Sequence, residues 1–311
     1  MVNLLLAVIQ VIVLVAIAPL VTGVIRKLKA WLQSRRGPPI WQPYFDLYKL
    51  FHKDSVVSQD ASWLTRVTPY VCVTAMLLAA LLVPAFTTSS FGFLGDLIVL
   101  VYLFAMVRFF MALAAMDAGS TFGGMGSSRE MMVSSVIEPA ILMAIFSTAL
   151  LTGTTNLSGI ADTLATSGWE LVVPTLFLGF AAFFIAILAE NARVPVDNPA
   201  THLELTMIHE GMLLEYSGKD LALMELSSMM KLVLFLSIAW SAFFPWGIAS
   251  QLTAGAVIIG VLVFALKLLL LIIAIALIES SIAKMRLFRL PNLLTGSFIL
   301  AFLAVMSFYV L

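Results

Sequence analysis

The sequence predicts an all-α membrane protein in which eight helices cross the bilayer. Of its 311 residues, 62% are hydrophobic and only 11% are charged, whereas a soluble domain carries about 25% charged residues. The apolar residues fall in runs of about 20, which is the length that a helix needs to cross the hydrocarbon core. The basic residues of the connections are confined to alternate loops. Together these three observations indicate a polytopic membrane fold.

The apolar runs define the individual spans. No basic residue precedes Arg26, so the first run lacks the positive start of a signal peptide and is expected to be a retained span. We expect one integral membrane domain over residues 1–311. Its predicted spans lie near 3–24, 69–88, 95–116, 131–152, 171–190, 227–249, 253–279 and 291–311.

The distribution of Lys and Arg predicts the orientation. The segment 26–68 holds eight of them, and the other basic connections follow the third, fifth and seventh spans. The positive-inside rule places such loops in the cytoplasm. Both termini are therefore expected outside, in a multi-pass protein of the cytoplasmic (inner) membrane. The expected cytoplasmic loops cover about 26–68, 117–130, 191–226 and 280–290.

The segment 26–68 is too polar to span and is expected to lie on the inner interface. Arg26–Lys29 and Tyr44–Phe51 suggest amphipathic helices there. Gly37-Pro38 predicts a turn, and the two arginines before it could clamp the carboxylates of a partner. A basic anchor for anionic lipid is the alternative for this segment.

The composition also excludes several classes of function. Basic residues are too few and too scattered for a nucleic-acid interface. The single cysteine, Cys72, excludes an intramolecular disulfide and any metal site made of cysteines within this chain. His202 and His209 stand two helical turns apart, about 10 Å, so no metal site is predicted and no cofactor motif is found.

Ionisable residues inside the predicted spans are candidates for function, because burying them in hydrocarbon is costly. Glu138 lies about eight residues into the fourth span, where a carboxyl must be protonated, paired or hydrated. Arg108 and Lys267 lie deep in the third and seventh spans and could neutralise carboxylates. Lys231 and Glu279 are near an interface, so snorkelling or capping explains them equally well.

The connection after the fifth span is unusually acidic. An amphipathic helix is expected within it, and a solvated connector is the alternative to a functional loop. Its candidate acidic residues are Glu190, Asp197, Glu204, Glu210 and Glu215.

Several motifs resemble those of respiratory complex I subunit one. Ala189–Asp197, Glu204-Leu205 and Glu215–Gly218 are similar to the signature loop of that eight-span subunit, which carries the quinone chamber below the peripheral arm. Arg35–Pro38 is similar to its first cytoplasmic loop, and Arg129 with Glu138 matches its fourth-span pattern.

Two further stretches resemble the hydrogenase branch of this family. Asp117–Glu130 and His202–Glu210 are similar to the membrane anchor subunits of energy-converting nickel–iron (NiFe) hydrogenases, of the formate hydrogenlyase subunit four type. The chain departs from the complex I pattern at Ala200 and His202, and about three residues are inserted before Glu215. These departures fall at the mouth of the quinone chamber and weaken the expectation that quinone binds.

The resemblance implies the membrane anchor of a redox-driven pump of H⁺ or Na⁺. The NiFe site and the iron–sulfur clusters would belong to peripheral large and small subunits, with antiporter-like subunits alongside in the membrane. On this interpretation the ion path comprises Glu138, Glu190, Asp197, Glu204, Glu210 and Glu215. The residues that tune its charge would be Arg108, Arg129 and Lys267. The docking surface for the peripheral arm would comprise Arg35, Arg36, Gly37, Pro38, Asp46, Lys49 and Arg193.

Two other functions stay open at this point. One is the quinone-chamber subunit of an NADH:quinone oxidoreductase, which a test for quinone reduction would distinguish. The other is a stand-alone secondary transporter, although such folds have repeats and paired broken helices that this sequence lacks.

Overall fold

The structure is a computed structural model, and it describes residues 2–58, 60–87, 95–167, 174–198, 207–248 and 254–310. Within these ranges the chain is almost entirely helical, with one antiparallel bridge between Asp96 and Asn156. The α-helices are α1 (Val2–Leu32), α2 (Gln42–Phe51), α3 (Trp63–Leu82), α4 (Leu97–Asp117), α5 (Thr121–Thr152), α6 (Leu157–Ser167), α7 (Pro174–Glu190), α8 (His209–Leu213), α9 (Gly218–Phe243), α10 (Ala254–Ser281) and α11 (Leu290–Val310).

Seven of the eight predicted spans form helices that are long and apolar enough to cross a membrane: α1, α3, α4, α5, α9, α10 and α11. The run 171–190 forms α7, an apolar helix of 17 residues. Residues 171–173 lie outside the described part of the chain. The prediction of a multi-pass helical membrane protein is therefore confirmed.

Polar side chains fix the starts of three of these helices. Ser62, Asp96 and Ser120 each accept a hydrogen bond from a backbone N–H in the first turn of the helix that follows, which satisfies a donor without an intrahelical partner. At the other end of α5, Gly153 adopts a φ of 69°, a left-handed conformation that glycine accepts without steric cost.

The core forms where α5 packs against α4, α7 and α11, and where α9 packs against α1, α3 and α7. Phe183 and Phe235 are fully buried there, with ring centroids 6.0 Å apart. A Cβ on Gly179 would lie 2.7 Å from Ser147 Oγ and 2.8 Å from a ring carbon of Phe243. Glycine at this position therefore lets α7 approach both neighbours closely.

Several helices differ from the sequence-based expectation. The prediction of a separate interfacial helix at Arg26–Lys29 is wrong, because these residues continue α1 to Leu32 without a break. Lysine and arginine are compatible with a helix, and Ala30 and Trp31 after them continue it. The second predicted helix, at Tyr44–Phe51, is observed as α2, and its location at the interface stays a prediction. In addition, α5 begins at Thr121, so most of the connection expected at 117–130 is helical.

Candidate functional site

The centre of the site is a set of four charged side chains, which we call the central ion-pair chain: Glu138, Arg108, Glu190 and Lys231. Arg108 of α4 lies between two carboxylates, with Nη2 2.9 Å from Glu138 Oε1 and Nη1 2.6 Å from Glu190 Oε1. Lys231 of α9 lies 2.9 Å from the other oxygen of Glu190. Four helices, α4, α5, α7 and α9, thus meet at one electrostatic cluster.

The central ion-pair chain is strongly buried at its middle. The side chain of Glu190 is 0% exposed, those of Arg108 and Lys231 are each 5% exposed, and that of Glu138 is 38% exposed. Lys231 Nζ also donates to the backbone oxygen of Glu190 at 2.8 Å.

A third carboxyl, Glu130, lies close to this chain on α5. It is 6% exposed, and the structure gives it no ion pair or hydrogen bond with the residues that it describes. Arg108, Lys231, Glu190 and Asp197 are the charges that act on it. The sequence analysis missed Glu130 because it assigned 117–130 to a solvated loop.

A second set of ion pairs fastens the end of α10. Glu279 accepts from Lys29 of α1 at 3.1 Å and from Arg193 at 3.2 Å. Lys284 Nζ lies 2.6 Å from Asp197 Oδ1. The other oxygen of Asp197 accepts from the backbone N–H of Ile208 at 3.1 Å. These contacts tie α1, α10 and both ends of the acidic connection together.

A cavity of about 660 Å³ opens between α1, α8, α9 and α10, and residues of the second set of ion pairs line it. This volume is within the range of small-molecule sites. Eight of its lining residues carry a formal charge, and its described walls contain no Phe, Tyr or Trp. The charged lining residues are Arg26, Lys29, Arg35, Arg193, Asp197, Glu210, Glu225 and Glu279.

His209, the first residue of α8, connects the cavity with the buried cluster. Its ring lines the cavity, while its Nε2 is buried and has no hydrogen-bond partner among the described residues. Burial lowers the pKa of this imidazole, and the charge of Lys231 lowers it further. The carboxylates of Glu210, Asp197 and Glu190 act in the opposite direction.

The structure brings only part of the predicted site together. Glu138, Glu190 and Arg108 are in direct contact, and Asp197 and Glu210 line the adjoining cavity. Glu204 lies outside the described residues. Glu215 is half-buried before α9 and is not among the residues that line the cavity.

The other predicted charges lie in different surroundings. Arg129 donates to the carbonyl of Met207 at 2.9 Å. Lys267 donates to the carbonyl of Phe244 at 2.6 Å and lies 5.5 Å from the ring centroid of Trp240. The ammonium group thus caps the end of α9 and makes no salt bridge within the described chain.

Some of the predicted docking residues are exposed, and one is buried. Arg35, Arg36, Gly37 and Lys49 are exposed. Arg193 instead is buried and bound to Glu279, because the connection folds back over the end of α10.

Comparisons with known proteins place this helical membrane protein in a family. Residues 4–310 match the family model described as NADH dehydrogenase. The chain is 38% identical over 300 residues to formate hydrogenlyase subunit 4 of Escherichia coli (strain K12), covering 96% of each protein. It is 36% identical over 300 residues to hydrogenase-4 component C of the same strain, covering 95% of this chain and 92% of that protein.

More distant relatives agree. Over 242 residues, which are 73% of this chain and 70% of that protein, it is 31% identical to an NADH-quinone oxidoreductase subunit of Rubrobacter xylanophilus. A chain in the structure of an archaeal membrane-bound sulfane sulfur reductase shares the fold, with a TM-score of 0.84 at 21% identity, over 99% of this chain and 100% of that one. The chain therefore belongs to the NADH dehydrogenase family, the family of complex I subunit one.

Proposed function

We propose that this chain, as a membrane subunit of the hydrogenase and complex I-like class, links the redox chemistry of a peripheral arm to ion movement across the membrane. The observation that carries the proposal is the central ion-pair chain, which joins four helices beside a charged cavity. No cofactor is assigned to this chain. The nickel–iron site and the iron–sulfur clusters belong, on this proposal, to partner subunits.

Stability alone is a poor explanation for the central ion-pair chain. Removing two charges from water costs about as much as their attraction returns, and apolar residues of similar volume often stabilise a protein as well or better. Ionisable groups inside a membrane are therefore expected to serve ion pathways or proton relays. The two carboxylates of this chain suit such a relay, because each can take up or release a proton beside a cation.

Arg108 is the group through which the two carboxylates influence each other. It contacts Glu138 with one nitrogen and Glu190 with another. When Glu138 takes up a proton, its attraction for the guanidinium falls, and the positive charge is left to Glu190 alone. Protonation of Glu138 therefore changes the electrostatic environment of Glu190, and no helix has to move.

Quinone reduction is the second candidate, since the chain is related to a protein of the NADH-quinone oxidoreductase class. The cavity is large enough for a quinone ring, but ligand pockets are lined mainly by hydrophobic and aromatic residues. The described walls of this cavity instead carry eight charged residues and no Phe, Tyr or Trp, which is a poor match to a flat apolar quinone ring. The hydrogenase-type function is therefore preferred, and assays for hydrogen evolution and quinone reduction by the assembled complex would separate the two.

The partners on this proposal are peripheral hydrogenase-like large and small subunits, antiporter-like membrane subunits and lipid. The exposed turn Arg35–Pro38 and the exposed face of α2 around Lys49 would receive the peripheral arm. Asp46 is part of the same face, 4.0 Å from Arg26. Adjacent arginines suit this role, because a guanidinium binds carboxylates in a bidentate geometry.

The topology proposed for the chain has eight spans, with both termini outside the cytoplasmic (inner) membrane. In this topology α7, the fifth span along the chain, joins the seven longer helices and brings the number of spans to eight. Its 17 described residues measure about 26 Å at 1.5 Å per residue, against a hydrocarbon core of about 30 Å.

The test of the proposed function is the substitution Glu138→Gln in the assembled complex. Glutamine keeps the shape and the hydrogen-bonding capacity but cannot carry a proton, so ion uptake by membrane vesicles should stop while the complex still assembles. Asp162→Asn on α6 is the matched control, because this carboxyl is exposed and belongs to none of the ion pairs described above. Normal ion uptake by Glu138→Gln would show that the carboxylate is structural.

A further inference from the structure

The charged side chains around the central ion-pair chain do not balance. Arg108 and Lys231 carry two positive charges, whereas Glu130, Glu138 and Glu190 carry three negative charges when all are ionised. Glu138 is 38% exposed and contacts Arg108, whereas Glu130 is 6% exposed and has no ion pair with any described residue. Outside this set, Asp197 is neutralised by Lys284 at 2.6 Å. An uncompensated charge at a buried carboxyl is costly, so we expect the set to hold one additional proton.

Two groups are placed to hold that proton. Glu130 is 6% exposed, with no ion pair to any described residue, so its neutral form avoids the cost of burying a charge. His209 has a buried Nε2 without a hydrogen-bond partner in the described chain. The remaining carboxylates are already held by cations, Glu138 and Glu190 by Arg108 and Asp197 by Lys284.

The contact between α5 and α8 places these two groups on helices that touch each other. A Cβ on Gly126 would lie 2.9 Å from Ile208 O and 3.2 Å from Met212 N, so the two backbones nearly touch. His209 directly follows Ile208, and Glu130 is one turn from Gly126, about 6 Å along α5. Lys231, Glu190 and Asp197 act electrostatically on both groups.

We propose that Glu130 and His209 form a proton-carrying pair that joins the cavity to the central ion-pair chain. His209 lines the cavity, and Glu130 is on the helix that carries Glu138. The two groups are not hydrogen-bonded to each other, so the transfer step runs through a bridging water: an N–H bond of the imidazolium breaks as the water takes up that proton, and the water releases another proton to form an O–H bond on the Glu130 carboxylate; no electrons are exchanged. The net charge of the buried set is the same before and after, so the transfer leaves no uncompensated charge.

The electrostatic surroundings determine where the proton rests. Burial and Lys231 lower the pKa of His209, which favours the neutral imidazole. Glu210 on α8, together with Asp197 and Glu190, opposes this shift. The helices packed against α8 add Arg129, Glu130 and Glu138 of α5 and Arg108 and Asp117 of α4. This pair rests on the proposed function, since it supplies the ion path.

The test uses the assembled complex in membrane vesicles, with ion uptake and redox turnover measured together across pH. Glu130→Gln and His209→Gln should each lower ion uptake per turnover by about 10²-fold, a typical contribution of a proton-transferring group. Because the two groups act as a unit, the double variant should be no slower than the slower single variant. Infrared difference spectra should lose a protonated-carboxyl band in Glu130→Gln.

Two controls are available on the chain. His52→Gln changes an exposed imidazole that contacts Tyr48 O, and Asp162→Asn changes a carboxyl on α6. Both should leave ion uptake unchanged. Normal uptake by either Glu130→Gln or His209→Gln, or effects that multiply in the double variant, would overturn the pair. Failure of Glu130→Gln to assemble beside intact controls would also overturn it, since that result would require a permanent charge at this position.

Glu138→Gln separates this inference from the proposed function. If Glu138→Gln stops ion uptake and the pair variants do not, the ion path stands and the pair is refuted. If the pair variants act as a unit while Glu138→Gln pumps normally, the pair stands and the route through the central ion-pair chain is refuted.

Discussion

Glu190 is expected to be the residue of the ion-pair chain whose loss destabilises the fold most. Its carboxylate is fully buried and contacts Arg108 at 2.6 Å and Lys231 at 2.9 Å. In Glu190→Gln both cations lose their shared counter-charge, and breaking a buried pair in this way costs about 3–5 kcal/mol. At about 1.4 kcal/mol for each factor of ten, the unfolding equilibrium constant should rise by about 10²–10⁴.

The measurement is unfolding of the purified chain in detergent micelles by a graded denaturing detergent, followed by tryptophan fluorescence. Asp46→Asn is the matched control, because its pair with Arg26 is 4.0 Å long and the two side chains are 37% and 48% exposed; its loss should cost less than about 1 kcal/mol. Glu190→Gln with Lys231→Met restores the charge balance and should recover at least about 1 kcal/mol. Equal stability of Glu190→Gln and Asp46→Asn would refute the electrostatic argument.

Three further outcomes are expected. Charge reversal of Arg35 and Arg36 should release the peripheral subunits from the membrane while this chain still inserts; a complex that stays whole would identify the segment as a lipid anchor. A cysteine at Thr166, exposed on α6, should react with a membrane-impermeant reagent from outside, and labelling from the cytoplasm would overturn the topology. Gly126→Ala should displace α8, because its Cβ would lie 2.9 Å from Ile208 O, and ion uptake should fall; unchanged uptake would show that the α5–α8 contact tolerates movement.

The spans could be predicted from the sequence because a bilayer imposes a simple requirement. Backbone polar groups in hydrocarbon must be satisfied within the helix, so each run of about 20 apolar residues becomes one helix irrespective of its neighbours. Helix ends were less predictable. The polar stretch before residue 131 suggested a loop, yet Ser120 caps α5 and the helix starts ten residues earlier than the apolar run.

The sequence predicted some of the residues of the site but not the contacts between them. Depth within a span identified Glu138 and Arg108, and the acidic connection identified Glu190 and Asp197. The pairings could not be deduced, since Arg108 and Glu190 are 82 positions apart in the sequence and meet at 2.6 Å. Lys267 shows the opposite error: its depth suggested a counter-ion, whereas it caps α9 through Phe244 O.

The sequence by itself thus determined that the chain is a multi-pass helical membrane protein, because hydrophobic length and composition act locally along the chain. Only the tertiary structure decided that Glu130 is buried, that Lys231 belongs to the buried cluster and that Glu279 binds both Lys29 and Arg193. These facts depend on which helix faces meet. Close contacts such as that of Gly126 with α8 determine how the helices are oriented against each other. Electrostatic partners are chosen by distance in space, which the order of residues does not encode locally.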